Sequence, residues 1–124
     1  MKPKSPICII PAAFVLLSAA TLRADVPPEQ KPEVEHLVGF LATSDCSMIR
    51  NGRAHDGAEA AKHVRRKYKH FRDDISSTEE FIELSATKST MSSKPYEVHC
   101  PGEPPRQSAD WLLDELEAYR AGNP

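Results

Sequence analysis

The stretch Cys46 to Tyr68, CSMIRNGRAHDGAEAAKHVRRKY, restricts the fold more than any other part of the chain. Asn51-Gly52 is the dipeptide best suited to a type I′ turn, because both central positions need φ > 0. It predicts a tight hairpin, with Cys46 to Arg50 as one strand and Arg53 to His55 returning antiparallel. Asp56 follows, with Glu59 three residues on, a capping-box spacing with Asp in place of Ser or Thr. A helix should begin there. At 100° per residue Ala60, Ala61, Val64, Tyr68 and Phe71 share one face, while Lys62, His63, Arg65, Arg66, Lys69 and His70 fan over the other.

The chain before this stretch divides into three parts. Residues 1–24 carry Lys2 and Lys4, an apolar run from Ile7 to Ala20 and small residues at Ser18, Ala19, Ala20 and Ala24, the layout of a secretory signal peptide. Pro11 interrupts that run, which is too short to span a hydrocarbon layer of roughly 30 Å comfortably, so no stable membrane anchor is expected after cleavage. Cleavage after Ala20 or Ala24 fits the pattern, and Ala24 is favoured because the chain then turns polar and proline-rich. Cys8 is expected to leave with the signal. Residues 25–32, with three prolines and no apolar period, read as an extended leader. From Glu33 the apolar positions Val34, Leu37, Val38 and Leu41 follow helical spacing to about Ser44, with His36 on the solvated side.

Beyond the organising stretch, Ser77 and Glu80 repeat the capping-box spacing ahead of a short helix burying Phe81, Ile82, Leu84 and Ser85. Ser85 to Ser93 has the composition of a loop, and it is long enough to be mobile. Tyr96, Val98 and Cys100 alternate with Glu97 and His99, predicting a half-buried strand that Pro101, Pro104 and Pro105 end. A last helix spans Ala109 to Arg120 behind a Ser108 N-cap, with Leu112, Leu113, Leu116 and Tyr119 on one stripe and Trp111 roughly opposite. Residues 33–124 are therefore read as one small α+β domain, in which the hairpin plus a third strand forms an antiparallel sheet packed against three or four helices. The core of a domain this size is modest, so additional cross-links would help it.

Cys46 and Cys100 are the two cysteines that remain after cleavage, one in each of two strands expected to share a sheet. In an oxidising compartment such a pair is a structural disulfide first. Closing a loop of about 55 residues would stabilise the fold by roughly 4 kcal/mol on the chain-entropy account.

Charge narrows the partners. Losing Lys2, Lys4 and Arg23 but no acid from 16 basic and 18 acidic residues leaves the exported chain at −5, which argues against nucleic acid bound through bulk charge. The local exception is Lys62 to Arg72, the densest basic run: its plain reading is a solvated helix face, and its functional reading is a patch for an anionic envelope component or another periplasmic protein. Lys62, Arg65, Arg66 and Lys69 are its candidate contacts, and Trp111 is either packed on the fold or an exposed anchor. His55, Asp56, Glu59 and His63 invite a metal reading, but Asp56 and Glu59 already have a capping role and no H-E-x-x-H is present. Neither a metal nor another cofactor is expected. No nucleophile with a base is visible, so a small metal-dependent or hydrolytic enzyme centred on His55, Glu59 and His63 stands as the alternative to a non-catalytic binding module.

Ile49-Arg50-Asn51-Gly52, then Glu59-Ala60, His63-Val64 and Arg66-Lys67-Tyr68, then Glu80-Phe81-Ile82, then Ser92 with Lys94-Pro95-Tyr96-Glu97-Val98, resemble in order and spacing the YfeK-like proteins, small exported bacterial proteins of unknown function. The resemblance spans about Glu33 to Trp111 and implies a periplasmic location in a Gram-negative bacterium. It brings no catalytic residues with it. Ser93 stands where the family pattern has a glycine.

Overall fold

The computed structural model describes residues 3–6, 9–15 and 25–122. The proposed cleavage positions and Cys8 lie outside them. The element order is α1 (Lys31–Thr43), β1 (Ser47–Arg50), β2 (Arg53–His55), α2 (Gly57–Phe71), α3 (Thr78–Ser85), β3 (Glu97–His99), β4 (Arg106–Gln107) and α4 (Ser108–Gly122). The result is an α+β fold in which four helices pack with one open antiparallel sheet of order β2-β1-β3-β4.

The turn chemistry sets the sheet. Asn51 and Gly52 have φ of 49° and 77°, the left-handed pair that a type I′ turn requires. Arg50 therefore faces Arg53, Ile49 faces Ala54 and Met48 faces His55. On its other side β1 pairs with β3, Met48 opposite Val98 and Ile49 opposite Glu97. The third strand thus joins the hairpin as the alternation of Tyr96, Val98 and Cys100 predicts. β4 was not expected. It follows the prolines rather than being prevented by them, pairing Val98 with Arg106 and Glu97 with Gln107. Cys46 and Cys100 are joined by a disulfide across the β1–β3 ladder.

Two of the three expected N-caps, Asp56 and Ser77, form. The Glu59 amide donates to Asp56 Oδ1 at 2.9 Å and the Glu80 amide donates to Ser77 Oγ at 3.1 Å, each satisfying a helix-start N–H that has no partner within its helix. Gly57 opens α2 against the end of α1, and a Cβ built there would lie 2.4 Å from the Leu41 carbonyl oxygen. That approach is open only to glycine.

One core gathers Val34, Leu37, Val38 and Leu41 of α1, Met48 and Val98 of the sheet, Ala60, Ala61 and Val64 of α2, Phe81 and Ile82 of α3, and Leu112 and Leu116 of α4. Several local expectations need correction. Residues 25–32 are not an extended leader: Pro28–Gln30 form a 3₁₀ turn that runs into α1, and Val26 is 2% exposed within the core. The prolines that break an apolar period also suit a helix start, since they lack the N–H that a first turn leaves unpaired. His36 is half-buried rather than freely solvated, because it stacks on Tyr119 with ring centroids 4.2 Å apart and its Nε2 lies 2.8 Å from Glu115 Oε1. In α4 the roles of two side chains are exchanged. Trp111 is 8% exposed and its ring centroid is 4.6 Å from that of Phe40 in α1, whereas Leu113 is 41% exposed. Burying the larger surface wins. Ser108 is the first helical residue rather than a side-chain cap, and its buried Oγ has no partner.

The Ser85–Ser93 region is tied down rather than loose. Ser89 is buried, its amide donates to the Lys94 carbonyl, the Tyr96 amide donates to the Thr87 carbonyl, and Lys88 bridges Pro95. Asn51 of the hairpin turn donates to Ser89 Oγ and accepts from Ser92 Oγ, clasping turn and loop together. Ser93, at the position of the expected glycine, has φ of 60°. A serine there costs on the order of 1 kcal/mol that a glycine would not. Among the described residues no helix is long and apolar enough to cross a membrane.

Candidate functional site

The two candidate clusters of this fold lie along the two flanks of α2. With 100° between successive residues, the buried stripe of Gly57, Ala60, Ala61 and Val64 is bordered on one side by Arg65, Tyr68 and Arg72 and on the other by His63 and Lys67. Lys62, Arg66 and Lys69 crown the solvent side and are exposed.

The first flank meets α1. Arg65 makes two bonds to Glu35, Nη1 to Oε1 at 3.1 Å and Nη2 to Oε2 at 2.8 Å, so this predicted partner-binding candidate is already paired within the fold. Tyr68 donates a short hydrogen bond to Asp25, whose carboxylate also lies 3.5 Å from Lys31 and 3.8 Å from Arg72. Burial pushes the Asp25 carboxyl up, but the Tyr68 hydroxyl, the Val26 amide and the two cations outweigh it and hold the group below its ordinary value. Burial and the same carboxylate raise the Tyr68 phenol well above its ordinary range. These groups line a cavity of about 340 Å³ floored by Val34 and Val38. Nearby, Arg120 of α4 reaches Glu33 at 2.7 Å and Glu79 at 2.5 Å, and its hydrogen bonds hold both carboxyls below their ordinary values.

The second flank meets the sheet. Strand register places Met48 opposite Val98, so two residues further Arg50 and Tyr96 share the same sheet face, at its turn end. The Tyr96 ring is buried, and its hydroxyl receives a bond from Lys67 Nζ at 3.3 Å and lies 3.0 Å from His63 Nε2. Lys67 also donates to the Lys88 carbonyl at 2.6 Å and rides over the Tyr96 ring, 5.1 Å from its centroid. Arg50 Nε is sealed from solvent and has no acceptor. Burial, followed by the charges of Arg50, Lys67, Arg66 and His55, drives His63 down to about 4. Burial is also the main cause lowering Lys67 and Arg50, with neighbouring cations adding to it. Next to Lys67, a depression of about 280 Å³ is lined by Phe71, Glu83, Leu84, Lys88, Ser89, Thr90 and Ser93.

The structure separates the residues of the enzyme alternative. His55 Nδ1 is 3.5 Å from Glu59 Oε2, while His63 turns to Tyr96. Among the described residues there is no group of three His, Cys, Asp or Glu side chains able to hold a metal ion. Trp111, offered as a possible anchor, is a core residue. Lys62, Arg66 and Lys69 stay exposed and have no carboxylate partner among the described residues. Sequence reasoning missed Arg50, Lys67 and Tyr96. The signal for the first was present, since the Asn51-Gly52 turn makes Arg50 and Arg53 cross-strand partners, an unfavourable like-charge pair.

No solved structure matches the chain. An uncharacterized protein, YfeK, of Salmonella typhimurium strain LT2 is 32% identical over 94 residues, covering 75% of this chain and 76% of that protein. Residues 28–120, from the 3₁₀ turn through both flanks of α2 to Arg120, match a family of unknown function, DUF5329. The chain belongs to that family.

Proposed function

We propose that this is a non-catalytic binding module of the periplasm, exported by a cleaved signal peptide, that associates with an anionic component of the cell envelope through the outer face of α2 and the adjoining Ser/Thr loop. The observation that carries the reading is the unequal fate of the basic run. α1 neutralises Arg65, whereas Lys62, Arg66 and Lys69 point outward with no acid against them among the described residues. Lys67 joins that row to the loop by its bond to Lys88. The remaining charge is local, on a chain whose overall balance after export is acidic, so it favours a specific anionic surface over bulk attraction. The disulfide between Cys46 and Cys100 suits an oxidising compartment.

The test is co-sedimentation of the mature protein with whole envelope fragments, comparing wild type with a triple Lys62→Glu, Arg66→Glu, Lys69→Glu variant whose fold is checked by circular dichroism. Association that falls steeply with salt and is lost in the variant supports the reading. Equal association of the two proteins would remove it.

A further inference from the structure

The sheet-side flank of α2 holds more positive charge than the fold neutralises. Arg50 and Arg53 face each other across the type I′ turn, and Tyr96 lies beside Arg50 on the same sheet face. α2 supplies His63, Arg66 and Lys67 to the same corner. Glu59 lies 3.5 Å from His55 and Glu83 shares the depression beside Lys67, but among the described residues no carboxylate is in hydrogen-bond contact with Arg50, Lys67 or His63. The Nε–H of Arg50 faces no acceptor although it is closed off from water. A buried donor left unmade is costly, and like charges on opposed strand positions add to the cost. On the α1 side of the same helix the fold has supplied a carboxylate to each comparable cation.

We infer that the Arg50–His63–Lys67–Tyr96 corner is a seat for a small tetrahedral oxyanion of the phosphate class, next to the depression that borders Lys67. The chemistry matches on three counts. Arg and Lys are the side chains that bind phosphate oxygens, Arg through its donor fork and Lys as a point charge. The Tyr96 hydroxyl offers a further donor once Lys67 and His63 turn toward the anion. The clasp of Asn51 with Ser89 and Ser92 fixes the rim, so that arrangement is held in place before a ligand arrives. This inference rests on the anion-binding reading above and gives it a ligand class and a defined position, deeper in the fold than the Lys62–Arg66–Lys69 row. The phosphate group has two possible sources: a free ion, or the headgroup of an anionic lipid.

The experiment follows the His63 ring by NMR across a pH titration of the mature, oxidised protein, in chloride alone, with inorganic phosphate, and with phosphatidylglycerol vesicles. Groups facing His63 are Arg50 from β1, His55 from β2, Tyr96 ahead of β3, and Glu59, Arg66 and Lys67 from α2 itself, so an anion seated among them raises its midpoint from about 4. A rise with saturable phosphate binding, weakened about tenfold or more by Arg50→Gln, as expected for one lost charge-assisted bond, supports the seat with free phosphate as ligand. A rise with vesicles alone, lost in the same variant, assigns the headgroup. A Lys62→Glu, Lys69→Glu variant, which leaves Arg66 of the corner in place, keeps most of its inorganic phosphate affinity if the seat lies at Arg50, and its envelope association is read separately. A midpoint unmoved by both additions, or binding that Arg50→Gln and Lys67→Gln leave unchanged, overturns the inference.

Discussion

The two flanks of α2 carry similar residues and differ in what opposes them. On the α1 side, Arg65 and Arg72 meet Glu35 and Asp25, and Tyr68 binds the same Asp25. On the sheet side, Arg50, Lys67 and His63 converge on a neutral phenol. The cause is topological. α1 lies beside α2 and presents an acidic edge, whereas β1 and β2 present the two arginines that a two-residue turn forces to face each other. One helix thus has a flank whose cations meet carboxylates and a flank whose cations meet none among the described residues.

The largest way to disturb this contrast is through the disulfide, which anchors the sheet under the second flank. Reduction, or Cys46→Ser with Cys100→Ser, should cost roughly 4 kcal/mol for a closed loop of this length, seen as a lower denaturant midpoint. An unchanged midpoint would show that the sheet does not depend on the link. Next comes the α1 flank. Tyr68→Phe removes a hydrogen bond to a charged, half-buried acceptor and should cost about 2 kcal/mol. If the variant is as stable as wild type, the anchoring of Asp25 is not an energetic feature of this flank.

A smaller effect separates the flanks by pH. His63 has its folded value depressed below 6.5, to about 4, chiefly by burial and then by Arg50 and its other cationic neighbours. The unfolded chain takes up that proton first, so stability is full above 6.5 and declines as pH falls toward 4. Asp25, Glu33, Glu35 and Glu79 are also depressed, and their contribution is lost only at lower pH, as each is protonated in the fold. His63→Gln should flatten the upper part of the acid limb and leave the lower part, measured by chemical unfolding at a series of pH values. A wild-type profile already flat between 6.5 and 4 would contradict the burial of that ring. Smallest of all is Arg65→Gln, which breaks an exposed ion pair and should cost less than about 1 kcal/mol, and less still in high salt.

How much of this could be read from the chain follows from the range of each interaction. The hairpin, the Asp56 and Ser77 caps and the pairing of Cys46 with Cys100 are visible because turn and cap chemistry act over two to four residues, and because Cys46 and Cys100, one in each of two strands expected to share a sheet, admit one pairing. The ordered segment ahead of α1 was hidden since Val26 is a single apolar residue beside prolines, and only the tertiary core gives it a place. The exchange of Trp111 and Leu113 was hidden for a related reason. Periodicity locates a stripe to within about one residue, and Phe40, distant in sequence, decides which neighbour is buried. The candidate seat was only partly legible: the basic run stands out, but sorting it into paired, outward and sheet-facing members needs the partners that α1 and β3 bring.

The sheet is open, and both its outer strands are very short, three residues in β2 and two in β4. Each carries an arginine, Arg53 or Arg106, and Pro104 and Pro105 lead directly into β4. Unsatisfied strand edges invite the same strand from another copy, and brevity, charge and proline are the features that discourage it. Both ends of this sheet thereby carry protection against edge-to-edge aggregation with other copies of the chain.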